Sequence, residues 1–191
     1  TPDVVSPEIY WRVSYAPRRM GAKEALEGVR ERLFEAVRIR LRADVPVAFC
    51  LSGGVDSNTL AGIAAKVHNA PLHAFSVVDH DPRYNELDNI RQTIDFLNCE
   101  LHVTETTTEG FFDRLGRLIA YHDAPVATIT YYLHAALSEA IHAKGFKVAI
   151  SGTAADEIFT GYYDHYAFWL AEMSGDQSFP RLLEDWRRSY G

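Results

Sequence analysis

Two short polar segments carry the side chains best suited to chemistry. They are Ser52-Gly53-Gly54-Val55-Asp56-Ser57 and Ser151-Gly152-Thr153-Ala154-Ala155-Asp156-Glu157. In the first, paired glycines permit backbone angles and a close approach that a side chain would block. Successive N–H groups would then point at an anion, Ser52 and Ser57 would add hydroxyl donors, and a following helix would add its partial positive charge. Asp56 is out of place beside a phosphate unless a cation stands between the two. A plainer reading makes Asp56 or Ser57 a helix cap, although capping does not call for the preceding glycine pair. The segment lacks the Gly-Lys-Ser/Thr ending of a Walker A loop and the third glycine of a dinucleotide fingerprint.

The remaining constellations are weaker. The eight histidines include no H-E-x-x-H and no other metal spacing. Asp79-His80-Asp81 could be a metal cluster, but after a strand it reads better as a polar loop. Tyr131-Tyr132 and Tyr162-Tyr163 could line a pocket, though aromatic residues at such positions more often belong to core or rim. Cys50 and Cys99 form no C-x-x-C pair, and Cys50 lies in an apolar run that reads as a buried thiol.

Hydrophobic periodicity supplies the elements that must position the two segments. Leu26, Val29, Leu33, Val37 and Leu41 recur at helical spacing between Lys23 and Arg42. The run from Pro46 to Leu51 is continuously apolar, as for a strand buried on both faces, and a helix is expected from about Asn58 to Val67. Leu72–Val78, Leu101–Thr104 and Lys147–Ile150 read as further strands, with helices over 86–97, Phe111–Tyr121, Thr130–Ala143 and the C-terminal stretch. Strands alternating with helices imply right-handed crossovers and a doubly wound parallel α/β sheet. Ligands of such sheets sit outside the strands' carboxyl ends, where the strand order reverses. Each polar segment begins where an apolar strand ends, so the two meet in one crevice if the first and fourth strands are neighbours.

At 191 residues, with 47% hydrophobic and 24% charged, the composition suits one globular domain with a substantial core. Lys and Arg number 19 against 26 Asp and Glu, a formal charge of −7, which argues against a nucleic-acid surface. No stretch has the length of a membrane span, and cytoplasm is the default expectation. Pro2, Pro7 and Pro17 punctuate residues 1–20, which read as a connector, and sequence is expected beyond both ends.

The hexapeptide after a buried strand resembles the pyrophosphate loop of N-type ATP pyrophosphatases, which include asparagine, GMP and NAD synthetases and the tRNA-thiolating enzymes. The run from Ser151 to Tyr162 is similar to the Ser-Gly-x-x-x-Asp-Glu-Leu-Phe-x-Gly-Tyr signature of asparagine and β-lactam synthetases, and Pro7 through Trp11 is similar to the stretch leading out of their glutaminase domain. The resemblance implies an adenine nucleotide alpha hydrolase-like fold over 21–191, a synthetase domain that continues past Gly191 and follows a glutaminase domain through the connector. It implies ATP and Mg²⁺: Ser52, Gly53, Gly54, Asp56 and Ser57 at the departing pyrophosphate, Asp56 and Asp156 sharing the cation, and Leu51, Val77, Ser151 and Gly152 at the nucleoside. The implied reaction is amidation of a small-molecule carboxylate, aspartate or another acid such as a sugar acid, through an acyl-adenylate. Ammonia would come from the glutaminase domain. The partners expected are thus small molecules, with no nucleic acid or membrane; the oligomeric state is left open, a homodimer being one arrangement.

One position departs from the family pattern. Asparagine synthetases carry an acidic residue where this chain has Thr153, and that carboxylate is credited with assisting ammonia capture. Threonine is no base at neutral pH, so another group does that work or the amination differs. Glu157 is the nearest unassigned carboxylate, with a first-turn role in the helix dipole as its alternative. Asp123, in Asp-Ala-Pro where the family often has Asp-Glu-Pro, is a substrate-side candidate or a helix-to-loop residue. Two rival readings are another ATP pyrophosphatase chemistry such as tRNA thiolation, and a nucleotide-binding or scaffold domain that has lost catalysis.

Overall fold

The computed structural model describes residues 8–190. Four strands, Val47–Cys50 (β1), His73–Val78 (β2), Glu100–Glu105 (β3) and Val148–Ile150 (β4), pair in parallel in the order β3-β2-β1-β4. Ala48 lies opposite His73 on one side and Ala149 on the other, so β1 is flanked on both edges. The first three strands step outward in one direction and β4 returns to the far side of β1. The strand order therefore reverses between β1 and β4, the condition required for the two polar segments to meet.

Helices cover both faces. Ala22–Arg40 (α1), Val55–Gly62 (α2) and Leu87–Leu97 (α3) supply Val37, Ala61 and Leu97 to a core with Phe49, Leu51 and Ala74. On the opposite face Ile141 and Leu137 of Ile129–Ala143 (α5) close over Ala48 and Phe75. Neighbouring residues Ala48 and Phe49 thus enter different cores, as the alternation of a strand requires. Phe49 and Phe75 are almost wholly buried, and each contributes about 1.5–3 kcal/mol by leaving water. Phe111–His122 (α4) packs against α5, and the chain ends in Ala155–Phe159 (α6), Tyr163–Glu172 (α7) and Phe179–Tyr190 (α8).

The expected strands all form, within a residue or two of the apolar runs. The main difference is at α2, which starts at Val55 instead of Asn58. Gly54 occupies the cap with extended angles and no side-chain cap bond, so Asp56 lies in the first helical turn and neither it nor Ser57 is the cap. Ser, Gly and Asp read as loop formers, but an acid in the first turn is favoured by the helix dipole. The helix then widens into a π turn over Ile63–Val67.

Of the expected connector, residues 1–7 lie outside the described residues, and residues 8–20 form no helix or strand. Tyr10 and Tyr15 in this stretch are almost fully exposed. Among the described residues, no helix is long and apolar enough to cross a membrane.

Candidate functional site

The site begins where β1 runs out. Leu51 is buried, and its N–H donates to the Phe75 carbonyl at 2.8 Å, which holds the chain beside β2 for one more residue. The following loop is laced from within. Ser52 N–H donates to Ser57 Oγ at 3.1 Å, the two serine hydroxyls lie 3.0 Å apart, and Gly54 N–H donates to Ser52 Oγ at 3.2 Å. Gly53 N–H donates to the Glu86 carboxylate at 2.9 Å. The loop N–H groups expected to stand open for an anion are thus engaged by partners of this chain.

Close approach, not unusual backbone angles, explains the glycines. Neither Gly53 nor Gly54 has positive φ. A β-carbon at residue 53 would stand 2.9 Å from Cβ of Glu86. At residue 152 it would stand 2.7 Å from the Ser57 amide nitrogen and 3.1 Å from Cβ of Asp56. The loop after β4 therefore lies on the first turn of α2, backbone against backbone, and only glycine fits there.

This contact makes one crevice of about 360 Å³ from both segments. Leu51, Ser52, Gly54, Asp56 and Ser57 line it from the β1 side. Ser151, Gly152 and Thr153 line it from the β4 side, and Val77 contributes from the end of β2. Gly53 is turned toward Glu86 and does not line it. Thr153 Oγ1 lies 2.8 Å from Ser151 Oγ, so the hydroxyl at the departing position is tied to its own loop. Cys50 also lines the crevice as a half-buried free thiol, with its pKa pushed up by burial.

Asp156 stands in the first turn of α6, its carboxylate against Gly161, where a β-carbon would collide with it. Asp56 and Asp156 are both half-buried, and among the described residues neither side chain accepts a hydrogen bond or joins an ion pair. Asp56 lines the crevice and Asp156 does not, and among the described residues no group of three or more His, Cys, Asp or Glu is placed to hold a metal ion. Glu157, by contrast, is engaged: the Tyr162 hydroxyl donates to it at 2.7 Å and holds its carboxyl below the usual range. Asp123 ends α4 in a left-handed conformation and lines neither the crevice nor the cavity described next.

A second and larger cavity, about 950 Å³, opens at the carboxyl ends of β2 and β3. Val77 and Leu133 line both spaces, so the two adjoin over the end of β2. Asp79 and Asp81 are occupied by loop contacts: Asp79 accepts from Asp81 N–H and Thr106 Oγ1, and Asp81 pairs with Arg83. Tyr132, one of the aromatic residues singled out in the sequence, is buried and lines the larger cavity.

Sequence reading missed four contributors. Glu86 precedes α3 with no motif around it, and only the geometry reveals its hold on Gly53. Leu133, Leu137 and His134 of α5 line the crevice. The i, i+4 spacing of Leu133, Leu137 and Ile141 was a legible signal for a face turned to the sheet.

The asparagine synthase family matches residues 28–190, and the chain belongs to that family. It is 36% identical over 197 residues to Amidase chry2 of Gibberella zeae, covering 94% of this chain and 29% of that protein. It is 35% identical over 191 residues to Amidase chyE of Penicillium rubens, covering 91% and 28%. Asparagine synthetase [glutamine-hydrolyzing] 1 of Bacillus subtilis is 30% identical over 156 residues, covering 80% and 24%. The chain thus spans less than a third of the length of these relatives.

Proposed function

We propose that this member of the asparagine synthase family binds ATP with Mg²⁺ across the mouth of β1 and β4 and uses it to activate a carboxylic acid for amidation. The observation that carries the reading is the seating of Gly152 on Asp56 and Ser57, which joins both family segments in a single crevice.

In this reading Ser52, Gly54 and Ser57 exchange their internal hydrogen bonds for bonds to the β- and γ-phosphates, and the first turn of α2 adds its dipole. Leu51, Val77, Ser151 and Gly152 receive the nucleoside. Asp56 and Asp156 hold the cation, which supplies charge neutralisation for the departing pyrophosphate. An oxygen of the substrate carboxylate attacks the α-phosphorus, the bond to the bridging oxygen breaks, and pyrophosphate leaves. Ammonia then displaces AMP from the acyl carbon. The protein contributes chiefly positioning and electrostatics.

Glu157 is bound to Tyr162 and held ionised, which suits a role in bracing α6 more than one as the base that Thr153 cannot be. Ammonia is supplied by a glutaminase domain outside this chain, joined through residues 1–20. The test is product identity in the full-length protein. With ATP, Mg²⁺, ammonia and an accepted acid, AMP and pyrophosphate should appear in equal amounts with the amide; ADP and phosphate would refute the reading.

A further inference from the structure

The crevice of about 360 Å³ stands near the lower end of the roughly 300–1,000 Å³ range of small-molecule sites. In the reading proposed above a nucleotide occupies this crevice, and the body of an acid to be activated needs other room. The cavity of about 950 Å³ adjoins it at Val77 and Leu133.

That cavity has a definite chemistry. Its walls carry Phe111, Tyr132, Tyr84 and Ile129. Phe111 and Tyr132 are in ring contact, with centroids 4.9 Å apart. Tyr132 is held from behind: Arg114 donates to its hydroxyl at 3.2 Å and to Glu139 at 2.9 Å, linking α4 to α5. The rim carries the carboxylates Asp79 and Glu105. Among the lining residues His80 is the only basic one, and it already stands 3.5 Å from Glu105. A second carboxylate on the substrate would therefore face two negative charges, one held by loop donors and one beside His80, with no other cation among the lining residues, whereas an amine would be attracted.

We propose that this cavity is the acyl chamber, and that its substrate is a monocarboxylic acid with an aromatic body and an amine on its far side. The carboxylate reaches over Val77 and Leu133 into the crevice, the ring lies among Phe111, Tyr132 and Ile129, and the amine meets Asp79 and Glu105. This rests on the ATP-dependent activation proposed above, and it separates this chain's substrate from aspartate.

ATP–pyrophosphate exchange in the full-length protein tests it with three probes: 3-(4-aminomethylphenyl)propionate, 3-phenylpropionate and L-aspartate. The aminomethyl acid should exceed L-aspartate in kcat/KM by at least about tenfold, with 3-phenylpropionate between them. Glu105 and Ile129 are exposed, so Glu105→Lys and Ile129→Trp should fold. Glu105→Lys should lower kcat/KM for the aminomethyl acid about tenfold, and Ile129→Trp should raise KM for both aromatic acids. Neither should move KM for ATP by more than about twofold. L-Aspartate as the best probe would overturn the proposal, as would a rise in KM for ATP in Ile129→Trp, which would seat the nucleoside in the cavity. ATP binding with no exchange for any probe would also overturn it while sparing the nucleotide site; loss of ATP binding itself would bring down the earlier reading.

Discussion

The mouths at the two ends of the sheet are built in different ways. Between β1 and β4 the two loops meet backbone to backbone, with Gly152 resting on the amide of Ser57. Between β2 and β3 the walls are side chains, with Phe111 and Tyr132 packed together and braced by Arg114. A backbone wall tolerates almost no change, because the clashing atoms cannot swing away. A side-chain wall can be reshaped one residue at a time. The first arrangement suits the nucleotide proposed for the crevice, and the second suits the acid proposed for the cavity.

That contrast should break first at Gly152. We predict that Gly152→Ala lowers pyrophosphate formation at least about a hundredfold and destabilises the fold by about 1–3 kcal/mol, the usual cost of overpacking. Activity assay and urea denaturation check both, and near-normal activity would mean the two loops are not in backbone contact. Arg114→Ala comes next. It strips charge-assisted bonds from Tyr132 and Glu139; the one to buried Tyr132 contributes about 1.5–3 kcal/mol, and the exposed pair with Glu139 less than about 1 kcal/mol. Urea denaturation should show a loss of that order, and Arg114→Lys should not restore it, since lysine cannot make the forked contact.

A smaller effect is expected at Glu86. Glu86→Gln keeps an oxygen for the Gly53 N–H, so KM for ATP should stay within about twofold. Glu86→Ala releases the loop, and loss of one hydrogen bond of about 1 kcal/mol corresponds to a rise of about fivefold. Equal effects from both variants would mean that charge, not loop position, is what Glu86 supplies.

The smallest effect belongs to Tyr162→Phe. Tyr162 holds the Glu157 carboxyl below its ordinary value of 4.5, so the folded state binds that proton less readily than the unfolded chain. The resulting stabilisation is present above the unfolded pKa and fades as pH falls through the lowered one. Thermal unfolding should therefore separate wild type from Tyr162→Phe slightly at neutral pH, and the gap should close below about pH 4.5. A gap that widens on acidification would contradict the sign.

The backbone-walled mouth was legible in the sequence because its chemistry is local. An apolar run followed by Ser-Gly-Gly-Val-Asp-Ser states a strand and a polar turn within a dozen residues. The adjacency of β1 and β4 was a condition, and the observed strand order satisfies it. The start of α2 was misplaced because Ser, Gly and Asp favour both turns and first helical turns. Glu86 and the larger cavity were invisible for another reason. Glu86 meets Gly53 of the loop after β1, and the cavity walls come from β2, β3, α4 and α5, with no spacing to betray contacts made only by folding. Tyr132 could be singled out by type, but only packing distinguishes a core ring from a cavity wall.

The decisive measurement is a calorimetric titration of Mg²⁺ and the α,β-methylene analogue of ATP into the full-length protein and into Asp56→Asn, Asp156→Asn and the double variant. If both carboxylates hold one cation, each single change should weaken binding at least about tenfold, and the double change should cost clearly less than the product of the two. Losses that simply multiply, or a single variant that binds as well as wild type, would contradict a shared site at the mouth of β1 and β4.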